Sequence, residues 1–285
     1  MSGATIIDGK AVADEVLSGL KKEISTLKSK GIQPALAVIL VGDDPASAVY
    51  VRMKGQDCEK IGIKSTTVRK PATMAEKELL DLVAQLNADK SVHGILVQLP
   101  MPEHIDEQKV IAAIDPRKDV DGFHPINVGN LIAGGECLES CTPAGVMELF
   151  HHYKIPVEGR QAVVIGRSNI VGKPVSIMLL RENATVTICH SRTKNLAEIV
   201  RQGDIVVAAA GKPGMVTGDM IKQGAVVIDV GTMKLENGKL CGDVDFDAAK
   251  EKASAITPVP GGVGPMTRAM LMKNTVIACK RQVEK

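Results

Sequence analysis

The chain has 285 residues, of which 45% are hydrophobic and 24% charged, a composition that buries a sizeable core and excludes an intrinsically disordered protein. Thirty-five Lys and Arg against thirty-three Asp and Glu leave a formal net charge of +2, and aromatic residues make up only 2%. That balance argues against a nucleic-acid binder working by phosphate neutralisation, and the scarcity of aromatics argues against a base-stacking platform.

The length exceeds the roughly 100 to 200 residues usual for one domain, so two lobes with a cleft between them are expected. The first ten residues lack the charged start and long apolar stretch of a signal peptide. No later run approaches the roughly 18 apolar residues of a membrane span. A cytoplasmic protein with no membrane partner is therefore expected. The six cysteines, at 58, 137, 141, 189, 241 and 279, include no C-x-x-C pair and fit reduced thiols.

In the first 120 residues amphipathic helical stretches alternate with short apolar runs at 35–41 and 94–99, the rhythm of βαβ units and a parallel sheet. Asp44-Pro45 reads as an N-cap followed by proline at the first helical position. With Gly62 at the far end, a helix is expected over 45–61. Tyr50 and Lys54 stand four apart on it and Ser47 three before Tyr50, so one face can offer a hydroxyl, a ring and an amine. A desolvated lysine can carry protons near neutral pH; the plain alternative is a solvated surface lysine and a packing tyrosine. Gln98 is a lone amide at the C-terminal end of the 94–99 strand, where open α/β sheets place ligands. It can orient the lysine amine or a substrate carbonyl, or simply satisfy a loop backbone.

Residues 121–143 shift to Gly, Asn and Pro and read as the crossing between lobes. Asp119-Val120-Asp121-Gly122-Phe123-His124 places two carboxylates and an imidazole there. The segment fails as a calcium loop, because Arg117 and Val128 would fall at the first and twelfth ligand positions. His151-His152 lacks an H-E-x-x-H context and Cys137 with Cys141 lacks two further ligands, so no metal is assigned.

Four nearly continuously apolar runs follow at 162–166, 185–189, 204–210 and 225–230, with helical segments fitting between the first pairs. They predict a doubly wound nucleotide-binding lobe. The first run enters Gly166-Arg167-Ser168-Asn169-Ile170-Val171-Gly172, a strand, tight turn and helix start of the kind that receives a dinucleotide's phosphates. Ser168 stands where the fingerprint has its second glycine. The second run ends His190-Ser191-Arg192 with no acid for a ribose 2′-hydroxyl, so Ser191, Arg192 and Arg167 favour a 2′-phosphate and NADP over NAD. The alternative is that both arginines are solvated loop residues. Residues 266–280 read as a helix after a Pro/Gly-rich loop.

Taken together, Tyr50-Val51-Arg52-Met53-Lys54, Val97-Gln98-Leu99-Pro100, Asp119-Val120-Asp121-Gly122, Gly166-Arg167-Ser168 and Pro260-Gly261-Gly262-Val263-Gly264-Pro265-Met266-Thr267 resemble the bacterial FolD family. Its members are bifunctional methylenetetrahydrofolate dehydrogenases and methenyltetrahydrofolate cyclohydrolases. The resemblance implies an α/β protein of two lobes. Residues 1–121 would form the folate-binding catalytic domain, 140–267 a Rossmann-type NADP-binding domain, and a C-terminal helix at about 268–285 would return to the first lobe. It implies hydride transfer from 5,10-methylenetetrahydrofolate to NADP and then hydrolysis of the methenyl product to 10-formyltetrahydrofolate. Lys54 would carry the protons and Gln98 would tune it. Tyr50, beside Ser47, would stack on the folate, and Asp121 would hold the pterin. Pro260, Gly261 and Gly262 would approach the folate. Gly166, Arg167, Ser168, Ser191, Arg192 and Thr232 would bind NADP. A homodimer with tetrahydrofolate substrates and no nucleic-acid partner is implied. Met101 and Arg268 depart from the residues commonest in the family.

Overall fold

A computed structural model describes residues 3–283. The chain opens with β1 (Thr5–Ile6) and α1 (Gly9–Ser29) and then lays down β2 (Ala35–Val41), α2 (Pro45–Ile61), β3 (Lys64–Lys70), α3 (Glu76–Ala88) and β4 (Gly94–Val97). β2 is buried along its whole length and pairs in parallel with β3 on one side and β4 on the other. Such a strand is covered on both faces, which is why its sequence is continuously apolar rather than alternating. β3 lies at an edge and carries Lys64, Arg69 and Lys70, charge of the kind that keeps an open edge from pairing with another chain.

From β2 the chain moves to one side for β3 and returns to the other for β4. The topological switch of this three-stranded sheet therefore falls between β2 and β4, outside whose carboxyl ends a ligand is expected. Ile39, Val41, Leu79, Val83, Ile95 and Val97 form the core below it, and the unusual Met101 is buried in the same cluster.

After α4 (Glu107–Ala113) the Gly/Asn/Pro-rich stretch contains a regular element, α5 (Pro125–Ala133), before α6 (Cys141–His152) begins. Its caps explain the composition. Pro125 occupies the first turn, the His124 ring accepts from the Ile126 N–H, and Gly134 closes the helix at φ 78°. The glycines that read as a crossing thus end a helix.

The second sheet is built from β5 (Gln161–Ile165), α7 (Gly172–Arg181), β6 (Thr185–Cys189), α8 (Leu196–Val200), β7 (Ile205–Ala208) and β8 (Val226–Asp229). A small hairpin of β9 (Met233–Lys234) and β10 (Leu240–Cys241) follows, then α9 (Phe246–Lys250), β11 (Ala255–Ile256) and α10 (Val263–Val283). The six strands run in the order β1-β11-β8-β7-β5-β6, all in parallel. The chain steps from β5 to β6 and comes back to β7 on the other side, so the switch point lies between β5 and β7.

The chain divides into two compact units. One joins the residues up to Asp14 with Thr142–Thr267 and holds the six-stranded sheet; the other joins Glu15–Cys141 with the residues from Arg268 onward and holds the three-stranded sheet. The last helix therefore supplies its residues from Arg268 to the three-stranded unit. The start of the chain groups with the six-stranded sheet. β1 pairs with β11 at the edge of the six-stranded sheet, a partnership that two residues are too few to announce locally.

Candidate active site

α2 forms where its caps put it. The Asp44 carboxylate accepts the Ser47 N–H at 2.7 Å, and Gly62 takes the left-handed conformation at φ 92° with its N–H on the Cys58 and Glu59 carbonyls. Hydrogen bonds from the Ser47 backbone and hydroxyl hold the Asp44 carboxyl below its ordinary range. The buried stripe of the helix is Ser47, Val51, Lys54, Cys58 and Ile61. Ser47 is 3% exposed and Lys54 9%, whereas Tyr50 is 44% exposed. Ser47 and Lys54 therefore share the buried stripe, with the Ser47 N–H tied to the cap, while Tyr50 is the exposed one of the three.

Lys54 is brought onto Gln98. The Gln98 N–H donates to the Ile39 carbonyl at 2.9 Å, which fixes the residue between β2 and β4 at the switch point of the sheet. Its side-chain Nε2 donates to the Leu99 carbonyl at 2.7 Å, and Oε1 accepts from Lys54 Nζ at 3.0 Å. Both readings of Gln98 hold at once: the amide satisfies the loop backbone, and that bond decides which way it faces. With Nε2 committed to a carbonyl, oxygen faces the amine. An ammonium with one fixed partner keeps two donor directions for a substrate or water.

Asp121 comes from a turn alongside β4. Asp119 bridges in parallel to Ile95, and its buried carboxylate accepts from the His124 N–H at 2.8 Å and from Asn127 Nδ2 at 2.9 Å. Asp119 is thus turn chemistry, which leaves Asp121 as the carboxylate available to a ligand. The carboxyl of half-buried Asp121 is pushed up to about 6 by burial, an effect that the Lys54 charge opposes and Asp119 reinforces. The neighbouring Cys141 thiol is raised well above its ordinary value by burial and by Asp121.

The Asp121 turn is pinned from behind by residues that carried no sequence signal of function. Buried Asn274 of α10 donates to the carbonyls of Val120 at 2.9 Å and Glu139 at 2.8 Å, and Ser140 Oγ donates to the Gly122 carbonyl at 3.0 Å. Gly122 has φ 73°, and a Cβ there would come within 2.4 Å of the Glu139 backbone, so no larger residue fits. Asn274 stands between Lys273 and Thr275 in the sequence, so nothing local marked it as buried, and a buried amide needs partners. Arg268, the second departure, lies with Nε 3.1 Å from Asp57 Oδ2 and so ties α10 to α2.

In the six-stranded unit the turn after β5 is held against the end of β6 by the Gly166 N–H, which donates to the Cys189 carbonyl at 2.9 Å. Gly166 has φ 132°, and a Cβ on it would lie 2.1 Å from the Ala209 carbonyl oxygen. Only glycine allows β5 to turn this closely past the residue that follows β7. The Ser168 hydroxyl accepts from the N–H groups of Val171 and Gly172 at 3.2 and 3.3 Å, and its carbonyl accepts from Lys173. Serine in place of the second glycine thus ties the turn to the start of α7. The N–H groups of Val171 and Gly172 are therefore engaged by the Ser168 hydroxyl.

Arg167, Ser168, Ser191 and Arg192 are exposed around the turn, and Thr232 is exposed in the loop after β8. Neither Arg167 nor Arg192 makes an ion pair among the described residues. Two unpaired guanidinium groups beside a turn without a nearby acid fit a dinucleotide carrying an extra phosphate. In the Pro260, Gly261, Gly262 segment, the Gly261 carbonyl accepts the Lys10 N–H at 3.0 Å and the Gly262 N–H donates to the Pro258 carbonyl at 2.9 Å. These bonds fold the segment against the start of α1. No group of three or more His, Cys, Asp and Glu among the described residues could hold a metal ion, and no helix among them is long and apolar enough to cross a membrane.

Comparison with known proteins gives this arrangement its context. Residues 7–121 match the sequence model of the tetrahydrofolate dehydrogenase/cyclohydrolase catalytic domain, and residues 140–283 that of the same family's NAD(P)-binding domain. The chain belongs to this family. Bifunctional protein FolD of Moorella thermoacetica is 60% identical over 278 residues, which cover 98% of this chain and 99% of the relative. The crystal structure of the bifunctional FolD enzyme from Campylobacter jejuni is similar at a TM-score of 0.97 and 52% identity, over 98% of this chain and all of that one. FolD of Trypanosoma brucei, solved with NADP cofactor and an inhibitor, has a TM-score of 0.96 and 43% identity, with both chains covered in full.

Proposed function

We infer that the chain oxidises 5,10-methylenetetrahydrofolate to 5,10-methenyltetrahydrofolate with NADP and hydrolyses the product to 10-formyltetrahydrofolate. The observation that carries this reading is the buried Lys54 amine held at 3.0 Å by Gln98 Oε1, at the switch point of a sheet whose unit belongs to a folate-metabolising family. Lys54, Gln98, Tyr50 and Asp121 serve the folate, and Gly166, Arg167, Ser168, Ser191, Arg192 and Thr232 serve the nucleotide.

NADP supplies the hydride acceptor for the first step. The chain's own contribution to that step is positioning, because hydride transfer needs the one-carbon unit and the acceptor in near-attack geometry and little else. Tyr50 offers its exposed ring to the folate, and Asp121 as a carboxylate accepts from paired pterin N–H donors. Ring opening, by contrast, moves protons. Water adds to the methenyl carbon, the bond from that carbon to N5 breaks, and the oxygen stays as the formyl carbonyl on N10. Of water's two protons one ends on N5 and the other in solvent. Lys54 carries the proton between the attacking water and N5, and Gln98 keeps the amine aimed.

The test follows NADPH and methenyltetrahydrofolate absorbance together after mixing protein, methylenetetrahydrofolate and NADP, beside an enzyme-free control. NADPH rising with little methenyl accumulation supports both steps; matching rises leave a dehydrogenase alone. NADP binding with no folate-dependent reduction would instead make the chain a nucleotide sensor.

Arg167 and Arg192 read the 2′-phosphate. Replacing both with alanine is expected to lower the preference for NADP over NAD at least about tenfold, since each charge-assisted hydrogen bond contributes about 1.5 to 3 kcal/mol. Michaelis constants for the two nucleotides measure it, and an unchanged ratio sinks the assignment. The chain acts in the cytoplasm as a homodimer. Its six cysteines, none of them in a disulfide, fit a reducing compartment, the dimer rests on the resemblance, and sedimentation equilibrium decides it.

A further inference from the structure

Behind the nucleotide face of the six-stranded unit lies a knot of two buried carboxylates. Asp229, at the end of β8, is 3% exposed and Asp243, just after β10, is fully buried. Asp243 Oδ2 accepts from the N–H groups of Ala210 at 2.6 Å and Gly211 at 3.1 Å, and Oδ1 accepts from that of Lys212 at 2.6 Å. Asp229 accepts from the N–H groups of Gly231, Asp243 and Val244 at 3.0, 2.9 and 2.9 Å. Its own N–H donates to the hydroxyl of fully buried Thr257 at 2.7 Å. Six loop N–H groups are thus gathered by two side chains.

The loop that Asp243 gathers continues β7 and forms one wall of the β5/β7 switch point. Its preceding residue, Ala209, donates its N–H to the Ile165 carbonyl at 2.7 Å and packs directly against Gly166 on the opposite wall. Three consecutive N–H groups converging on one carboxylate define the path of residues 210–212 without any regular secondary structure. Asp229 does the same for Gly231, next to Thr232.

We propose that Asp243 is a positioning residue for the nicotinamide nucleotide: through three backbone N–H groups it sets the 210–212 wall, and through Asp229 it is coupled to the loop bearing Thr232. It acts on the nucleotide without touching it. The proposal rests on the reading of this unit as the NADP-binding one. An amide in place of the carboxylate keeps the shape but offers a single acceptor oxygen and a donor that faces N–H groups, so the wall loses its anchor at one end.

The test is Asp243→Asn in the full chain, read three ways. Calorimetric titration with NADP is expected to give a dissociation constant at least about tenfold weaker. The Michaelis constant for NADP should rise in step while the turnover number at saturating NADP changes less than about threefold. Hydrolysis of methenyltetrahydrofolate supplied directly, which needs no nucleotide, should stay within about twofold, whereas general unfolding would lower it too. An unchanged dissociation constant, or a loss of hydrolysis in proportion, overturns the proposal. Wild-type protein that binds no NADP in the same titration overturns the functional reading and the proposal with it. Should the variant not fold, hydrogen exchange on the nucleotide-free wild-type protein decides: the amides of Ala210, Gly211 and Lys212 are expected to be protected, and exchange at free-loop rates refutes the anchor.

Discussion

Lys54→Met is expected to lower methenyltetrahydrofolate hydrolysis by about a hundredfold to ten-thousandfold, the range that positioned proton transfer contributes, while NADP binding is unchanged. Methionine fills the buried stripe of α2 between Val51 and Cys58 at nearly the same volume. The helix and its caps should therefore persist, and only the amine is removed. Gln98 loses one acceptor contact but keeps its bond to Leu99. With NADP and methylenetetrahydrofolate present, methenyltetrahydrofolate should accumulate as NADPH forms, because the first step needs position rather than proton transfer. Methenyl hydrolysis retained well above the buffer rate would refute the role of Lys54.

Asp121→Asn is expected to reduce kcat/KM for methylenetetrahydrofolate by about a hundredfold, since an ionised acceptor of paired N–H donors is replaced by a group with one acceptor and an opposed donor. The wild-type enzyme should also show a pH dependence that the variant lacks. Burial pushes the Asp121 carboxyl up to about 6, so the ionised, pterin-binding form is depleted as pH falls through about 6. KM for folate should climb there in the wild type and stay flat in the variant. Stability runs the other way. A carboxyl raised on folding binds more protons in the native state, so its contribution is present below its unfolded value and is lost as pH rises from about 4 to about 6. Asp121→Asn should then melt higher than the wild type at pH 8, although it binds folate worse. A variant that melts lower at pH 8, with KM still pH-dependent, would remove Asp121 from this role.

What the sequence made legible was local. Asp44-Pro45 and Gly62 bracket α2 because caps and proline act within one turn, and the observed helix runs over Pro45–Ile61 as those residues imply. The apolar runs marked strands whose two faces are covered. Gln98 was legible as a polar residue ending such a run, and the structure places it against Lys54. The remainder was hidden because its partners are far away in the chain. The 120–121 turn is tied to Asn274, some 150 positions on, by one amide. β1 acquires its meaning from β11, and α5 lies in a stretch whose glycines and prolines are caps rather than coil. Asp229 and Asp243 could have been suspected from Gly242, where a Cβ would lie 1.9 Å from Asp229 Oδ2. A glycine beside an acid in sequence, however, reads as an ordinary turn.

The two units are interleaved: the three-stranded one takes its final helix from beyond Arg268, after the whole six-stranded one has been laid down. During synthesis the three-stranded unit is thus interrupted after Cys141 and resumes only at Arg268. Until α10 has left the ribosome the carbonyls of Val120 and Glu139 lack the Asn274 amide that holds them. A nascent chain stalled before that point would hold the turn that carries Asp121 without its anchor in α10.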